Sequence, residues 1–108
     1  KTSNIIVRQV DALCLSLLED CSVNKIVTDP PWGLYEDVGM EMEGFYDKMM
    51  KEMYRVLKTN GIIVILTANK DELEKVLLNF RNKLKILNKY NILVSGKKAA
   101  VYKIIKIL

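Results

Sequence analysis

From Met42 onward, apolar side chains recur at intervals of three and four: Met42, Phe45, Tyr46, Met49, Met53 and Leu57. That spacing lines one face of a helix. Gly44 weakens its first turn. Asn60-Gly61, two residues that tolerate positive φ, mark its expected end. A second apolar stripe, Leu73, Val76, Leu77 and Phe80, follows Asn69 and Asp71, either of which can cap a helix. Between the two helices, Ile62-Ile63-Val64-Ile65-Leu66 is apolar without alternation. A run of that kind predicts a strand buried on both faces, as in the middle of a parallel sheet.

The rest of the chain reads as short β-rich runs. Residues 4–10 are rich in β-branched side chains and end at Asp11-Ala12. Residues 13–20, with Leu13, Leu17 and Leu18 to one side, predict a helical turn or a short helix. Lys25-Ile26-Val27-Thr28 is a second strand, and two prolines stop it, because proline cannot continue a central ladder. Residues 34–41 form an acidic loop. Residues 84–94 and 99–107 are two further strands, joined by the hairpin loop Ser95-Gly96-Lys97-Lys98. Strands alternating with helices imply an α/β layered fold with a mostly parallel sheet, its last strand reversed by the terminal hairpin.

Composition narrows the chemistry. The 108 residues suit one domain, and half of them are apolar. No apolar run has the length of a membrane-spanning helix, and none reads as a secretory leader. Cys14 and Cys21 are not spaced as a metal clip, and histidine is absent, which excludes zinc sites and His-dependent triads within the chain. Reduced cysteines in a cytoplasmic protein are the expectation. The net charge of +4 hides an asymmetry. Residues 1–74 carry eight basic and thirteen acidic side chains, whereas residues 75–108 carry nine basic and no acidic ones. Such a distribution fits either a footprint for phosphates or a set of solvated surface lysines.

One segment carries candidate chemistry. Thr28-Asp29-Pro30-Pro31-Trp32-Gly33 leaves the end of a hydrophobic strand. In open α/β sheets that is where ligands and catalytic residues gather. An exocyclic amine of a purine is a poor nucleophile, since its lone pair is delocalised into the ring. Acceptors on its N–H groups help it rehybridise. Asp29 offers a carboxylate and Pro30 a backbone carbonyl, and prolines supply acceptors without competing N–H donors. Pro30 and Pro31 also restrict the backbone. Trp32 presents a flat apolar face on which a base can stack. Gly33 permits close approach. The plainer alternative is a rigid turn with Trp32 in the core. Glu36 and Asp37 read as solvated loop acids, and Met42, Met49, Met50 and Met53 as core filling.

Asp29-Pro30-Pro31-Trp32 resembles the Asn/Asp/Ser-Pro-Pro-aromatic motif of amino-methyltransferases that use S-adenosyl-L-methionine. The longer Thr28–Gly33 segment, with Asp11-Ala12 upstream, looks most like the RNA-methylase group that includes the THUMP-associated tRNA guanine-N2 methyltransferases. The stretch from Tyr54 to Val64 (Tyr-Arg-Val-Leu-Lys-Thr-Asn-Gly-Ile-Ile-Val) is similar to the class I methyltransferase segment in which a helix ends before the fifth strand. Thr59-Asn60 stand there in place of Pro-Gly.

The resemblance implies a partial Rossmann-like methyltransferase sheet. Residues 1–108 would be the C-terminal half of a catalytic domain. Asp29, Pro30, Pro31 and Trp32 would be the catalytic residues. Asp11 and Ala12 would lie at the cofactor's adenine with Asp29 nearby, Asp11 otherwise being a turn or helix cap. Trp32 and Gly33 would face the substrate base. RNA, tRNA foremost, would be the partner, with adenine-N6 methylation of DNA or RNA as the nearest rival. A non-catalytic nucleic-acid-binding module built on the basic C-terminal third is a second. The five glycines form no Gly-x-Gly. The first two strands and the Gly-rich loop of the family fold are therefore missing from this chain. Residues 25–28 would be the fourth strand, with an exposed edge able to pair with another copy. The chain on its own would be inactive.

Overall fold

A computed structural model describes residues 18–30 and 42–108. Their elements run β1 (Val23–Thr28), α1 (Met42–Val56), β2 (Leu57–Thr67), α2 (Lys70–Leu77), β3 (Leu84–Val94) and β4 (Lys97–Lys106), with a 3-10 turn at Leu78–Phe80 after α2. The strands form one sheet in the order β1-β2-β4-β3. β1 and β2 are parallel, and β4 returns antiparallel between β2 and β3. Three strands thus run one way and the last runs back, which is the expected α/β sheet closed by a hairpin. The insertion of β4 beside β2 is a non-local pairing that no local pattern announces. The expected strand at residues 4–10 and the loop at 34–41 lie outside the described residues, as do residues 13–17 of the expected short helix. Its described end, Leu18 to Asp20, is a bend and turn.

The stripe of α1 behaves as its spacing predicts. Tyr46, Met49 and Met50 are fully buried, with Phe45 and Met53 nearly so. They pack on Ile63, Ile65, Tyr102 and Ile104 of the sheet and on Leu73, Val76 and Phe80 of the α2 region. These methionines fill the core, as their positions on the stripe imply. Burying side chains of this size stabilises by ~1.5–3 kcal/mol each.

Two expectations are corrected. The helix ends at Val56, not at Asn60-Gly61, because Leu57 already pairs with Val23 in the sheet. Between Val23 and Lys25 of β1 the partner strand advances from Leu57 to Ile62, so Lys58–Gly61 bulge out of the ladder. Asn60 takes the positive φ of 70° in that bulge. Gly61 is needed for closeness instead. A Cβ there would stand 2.7 Å from the Leu57 side chain and from the Lys58 carbonyl oxygen. The second correction concerns Ile62–Leu66. Ile63, Ile65 and Thr67 are fully buried, whereas Ile62, Val64 and Leu66 stay half-buried. Among the described residues both helices pack on one face of the sheet.

The carboxyl end of α1 is tied into the sheet. The N–H groups of Cys21 and Ser22 donate to the Arg55 and Val56 carbonyls, at 2.9 and 2.8 Å. The buried Lys106 ammonium donates to the Tyr54 and Leu57 carbonyls at 2.9 and 2.6 Å and sits 4.3 Å from the Tyr54 ring centroid. Orphan carbonyls at a helix end are satisfied, and a cation there complements the helix dipole. Arg55 donates to Asp20 and to the Leu18 carbonyl, pinning the segment that leads into β1.

Candidate active site

β1 ends at Thr28, and Asp29-Pro30 leave its carboxyl end. The strand stops where the prolines require. Asp29 is exposed and Pro30 is buried. Thr28 pairs with Ile65, so continuing the parallel register places Pro30 level with Thr67. The rigid motif therefore rises beside the end of β2. Pro31, Trp32 and Gly33 lie outside the described residues, as do Asp11 and Ala12.

Next to Asp29-Pro30 is a buried polar cluster that periodicity does not reveal. The Tyr46 hydroxyl and Thr67 Oγ1 are 2.6 Å apart. Asn69 donates twice, from its backbone N–H to Thr67 Oγ1 at 2.9 Å and from Nδ2 to the Tyr46 oxygen at 3.3 Å. The cluster joins α1, the end of β2 and the start of α2. Burial pushes the Tyr46 hydroxyl above its usual pKa, against the bonds from Thr67 and Asn69, and the carboxylates of Glu72 and Asp29 add to the rise. Tyr46 thus stays a neutral hydroxyl within the field of the candidate catalytic carboxylate. One signal exists in the sequence: a tyrosine on a buried stripe needs a partner for its hydroxyl. Of the two expected caps, Asn69 is the N-cap residue of α2 and Asp71 lies in its first turn, but Asn69 makes no side-chain cap bond. Its side chain serves Tyr46 instead.

A second tie lies further along the sheet. Tyr102 donates to the Glu74 carboxylate, which also accepts from Lys89 Nζ at 2.7 Å. Lys89 and then Tyr102 hold Glu74 below the ordinary carboxylate range. Burial, followed by Glu74, pushes the Tyr102 phenol well up.

The nine basic residues of the C-terminal third do not gather on one face. Lys75 pairs with Glu43 at 3.2 Å and Lys89 with Glu74. Lys106 is buried at the end of α1, and Lys83 lies 5.5 Å from the Tyr54 ring centroid. Lys85 and Lys103 sit on the opposite sheet face from Lys89, since they share the register parity of Ile105 rather than of Tyr102. The charge asymmetry of the sequence is thereby largely dispersed in space. Among the described residues no acidic or cysteine cluster can hold a metal, and no helix is long and apolar enough to cross a membrane.

The sheet order and the position of Asp29-Pro30 at the end of β1 match part of a Rossmann-like class I methyltransferase fold. The chain belongs to the UPF0020 family, the RMKL-like methyltransferase domain, whose model matches residues 1–99. TrmN from Thermus thermophilus shares the fold at a TM-score of 0.75 and 21% identity, over 93% of this chain and 28% of that one. A candidate DNA-modification methylase, also from Thermus thermophilus and complexed with S-adenosyl-L-methionine, matches at 0.66 and 18%, over 91% and 51%. The N-methyltransferase NodS from Bradyrhizobium japonicum WM9, with S-adenosyl-L-homocysteine, matches at 0.63 and 15%, over 90% and 52%. The chain thus spans under a third of TrmN and about half of the other two. No curated protein matches it. The residues present fit the cofactor in part. The exposed Asp29 carboxylate at the end of β1 can accept from its amine, but no Gly-x-Gly cradle exists in the sequence.

Proposed function

We propose that this chain forms the target-amine wall of an N-methyltransferase acting on nucleic-acid bases, with guanine-N2 of RNA, tRNA above all, as the foremost target. The observation that carries the reading is Asp29-Pro30 at the carboxyl end of β1, an exposed carboxylate and a rigid, donor-free backbone set beside the Tyr46–Thr67–Asn69 cluster. The cofactor supplies an electrophilic methyl group. Asp29 and the Pro30 carbonyl accept the two N–H bonds of the amine and aim its nitrogen. Trp32 stacks the extruded base, a contact worth ~1–3 kcal/mol. When the amine takes the methyl group, the cofactor's S–CH3 bond would break to leave a neutral thioether, and Asp29 would stabilise the positive charge on nitrogen until its proton leaves to water. Asp11 and Ala12 are assigned to the cofactor's adenine, Pro31 to holding the turn, and Gly33 to the approach of the base.

Adenine-N6 remains the rival substrate, because the same acceptors suit its amine. The dispersal of the basic residues weighs against a purely non-catalytic binding module. β1 is an edge of the sheet among the described residues, and association of the isolated, inactive chain through that edge belongs to the same reading. The test is methyl transfer by the full-length protein to guanine- and adenine-containing RNA and DNA. Asp29→Ala should lower it at least ~100-fold, the scale of losing one well-placed electrostatic group. Unchanged transfer refutes the assignment.

A further inference from the structure

The carboxyl edge of the sheet continues past the motif. On the helix-bearing face, Thr67 of β2, Ala100 of β4 and Asn91 of β3 stand in one paired row, and Leu93 pairs with Lys98 one step outward. Ala100 is fully buried and small, so nothing bulky rises from β4 in that row. The result is an open groove of about 550 Å3 between the start of α2 and the β3–β4 turn, lined by Lys70, Asn91, Ile92, Leu93, Lys98 and Ala99. Its lining combines two kinds of side chain. Leu93 is 69% exposed on this face, which leaves aliphatic surface open to solvent, whereas Ile92 pairs with Ala99 and directs its side chain to the opposite face. Lys70 and Lys98 flank that surface with no carboxylate within ion-pair distance among the described residues. Of the neighbouring acids, Glu74 is occupied by Lys89 and Tyr102. Asp71 and Glu72 remain in the first turn of α2.

The groove lies on the same sheet end as Asp29-Pro30, two to three strands away. At ~4.8 Å per strand that is ~10–14 Å. A stacked strand advances ~3.4 Å per nucleotide, so the separation corresponds to three or four nucleotides, and fewer when the strand is splayed.

We propose that this groove is a binding subsite for single-stranded nucleic acid flanking the target base. Lys70 and Lys98 contact backbone phosphates, the Asn91 amide contacts a base edge or ribose hydroxyl, and Leu93 covers the sugar face. Single strand is favoured over duplex because an exposed aliphatic side chain between cations suits unstacked sugars and bases. A duplex offers mainly phosphates at this depth. The proposal rests on the nucleic-acid reading of the Asp29 site but concerns different residues.

The experiment is equilibrium binding of a labelled single-stranded RNA to the full-length protein over a series of salt concentrations. Lys70→Ala with Lys98→Ala should weaken binding about ten-fold at low salt. It should also lower the log–log salt slope by about 1.4, from ~0.7 per phosphate contact on a single strand. Lys70→Arg with Lys98→Arg should restore both, and Asn91→Ala should weaken binding without changing the slope. An unchanged affinity and slope in the double alanine variant overturns the subsite. So does an equal loss for duplex RNA and for a featureless polyanion, which would make the lysines a general charge effect. Weaker binding in the double alanine variant, with methyl transfer intact in Asp29→Ala, would instead refute the active-site reading and leave the groove standing.

Discussion

At the residue scale, the informative side chains are polar groups whose partners lie far away in sequence. Tyr46 and Thr67 are both fully buried and twenty-one residues apart. Tyr46→Phe keeps the ring but removes one hydrogen-bond partner of Thr67 and one of the Asn69 amide. The expected loss is ~1–3 kcal/mol, the cost of stranding a buried polar group, read as a lower urea midpoint at unchanged m. Thr67→Val should cost a similar amount, and the double variant less than the sum, because both changes delete one shared bond. Glu74 gives a prediction in pH. Its folded pKa is depressed below the ordinary carboxylate value of 4.5. Its stabilising contribution is therefore complete above that value and disappears as pH falls through the lower, folded pKa. Glu74→Gln should flatten the acid limb of stability below about pH 4.5. An acid limb unchanged by the substitution would mean that the Lys89–Glu74–Tyr102 tie contributes nothing measurable. The motif is legible at this scale because Asp29-Pro30 is a local signal. The Tyr46–Thr67–Asn69 cluster is not, since periodicity assigns Tyr46 to the core and is silent about where its hydroxyl goes.

At the element scale, legibility follows sequence distance in the same way. The stripes of α1 and α2 are readable because helix contacts repeat every three to four residues. The end of α1 is not, because Leu57 satisfies two patterns at once, the last place on the helical stripe and the first pairing of β2 with Val23. Long-range pairing wins. The same geometry fixes opposite outcomes for two glycines. Gly61→Ala forces a Cβ within 2.7 Å of the Leu57 side chain and a backbone oxygen, and should destabilise by ~1–3 kcal/mol through overpacking. Gly44 lies in α1, and a Cβ added there would meet nothing within 4 Å. Gly44→Ala should stabilise by up to ~1 kcal/mol through helix propensity. Thermal denaturation of the two variants should move the midpoint in opposite directions, and a shift of the same sign would show that the bulge at Lys58–Gly61 relaxes freely.

At the scale of the whole molecule, the expectation that Ile62–Leu66 would be buried on both faces fails for a reason that points outward. Parallel sheets are covered on both faces, yet among the described residues α1 and α2 lie on one face, and Val27 is 71% exposed on the other. Ladder parity puts Val27 and Val64 in one row of that open face, and Leu66, Val101 and Tyr90 in the next. An apolar face and an edge strand together are an association hazard. The continuous apolar run is thus chemistry suited to two-sided burial, and the solved structures that share the fold are well over this chain in length, TrmN by roughly three-fold. The 108-residue chain alone should therefore sediment as more than a monomer at tens of micromolar. Val27→Glu should shift it toward monomer, because a carboxylate cannot be buried there unpaired. The full-length protein should gain nothing from that substitution and should lose stability if the face is covered within it. A monomeric isolated chain, with Val27→Glu silent in both contexts, would mean that the open face needs no cover and that the apolar run serves the four-stranded sheet alone.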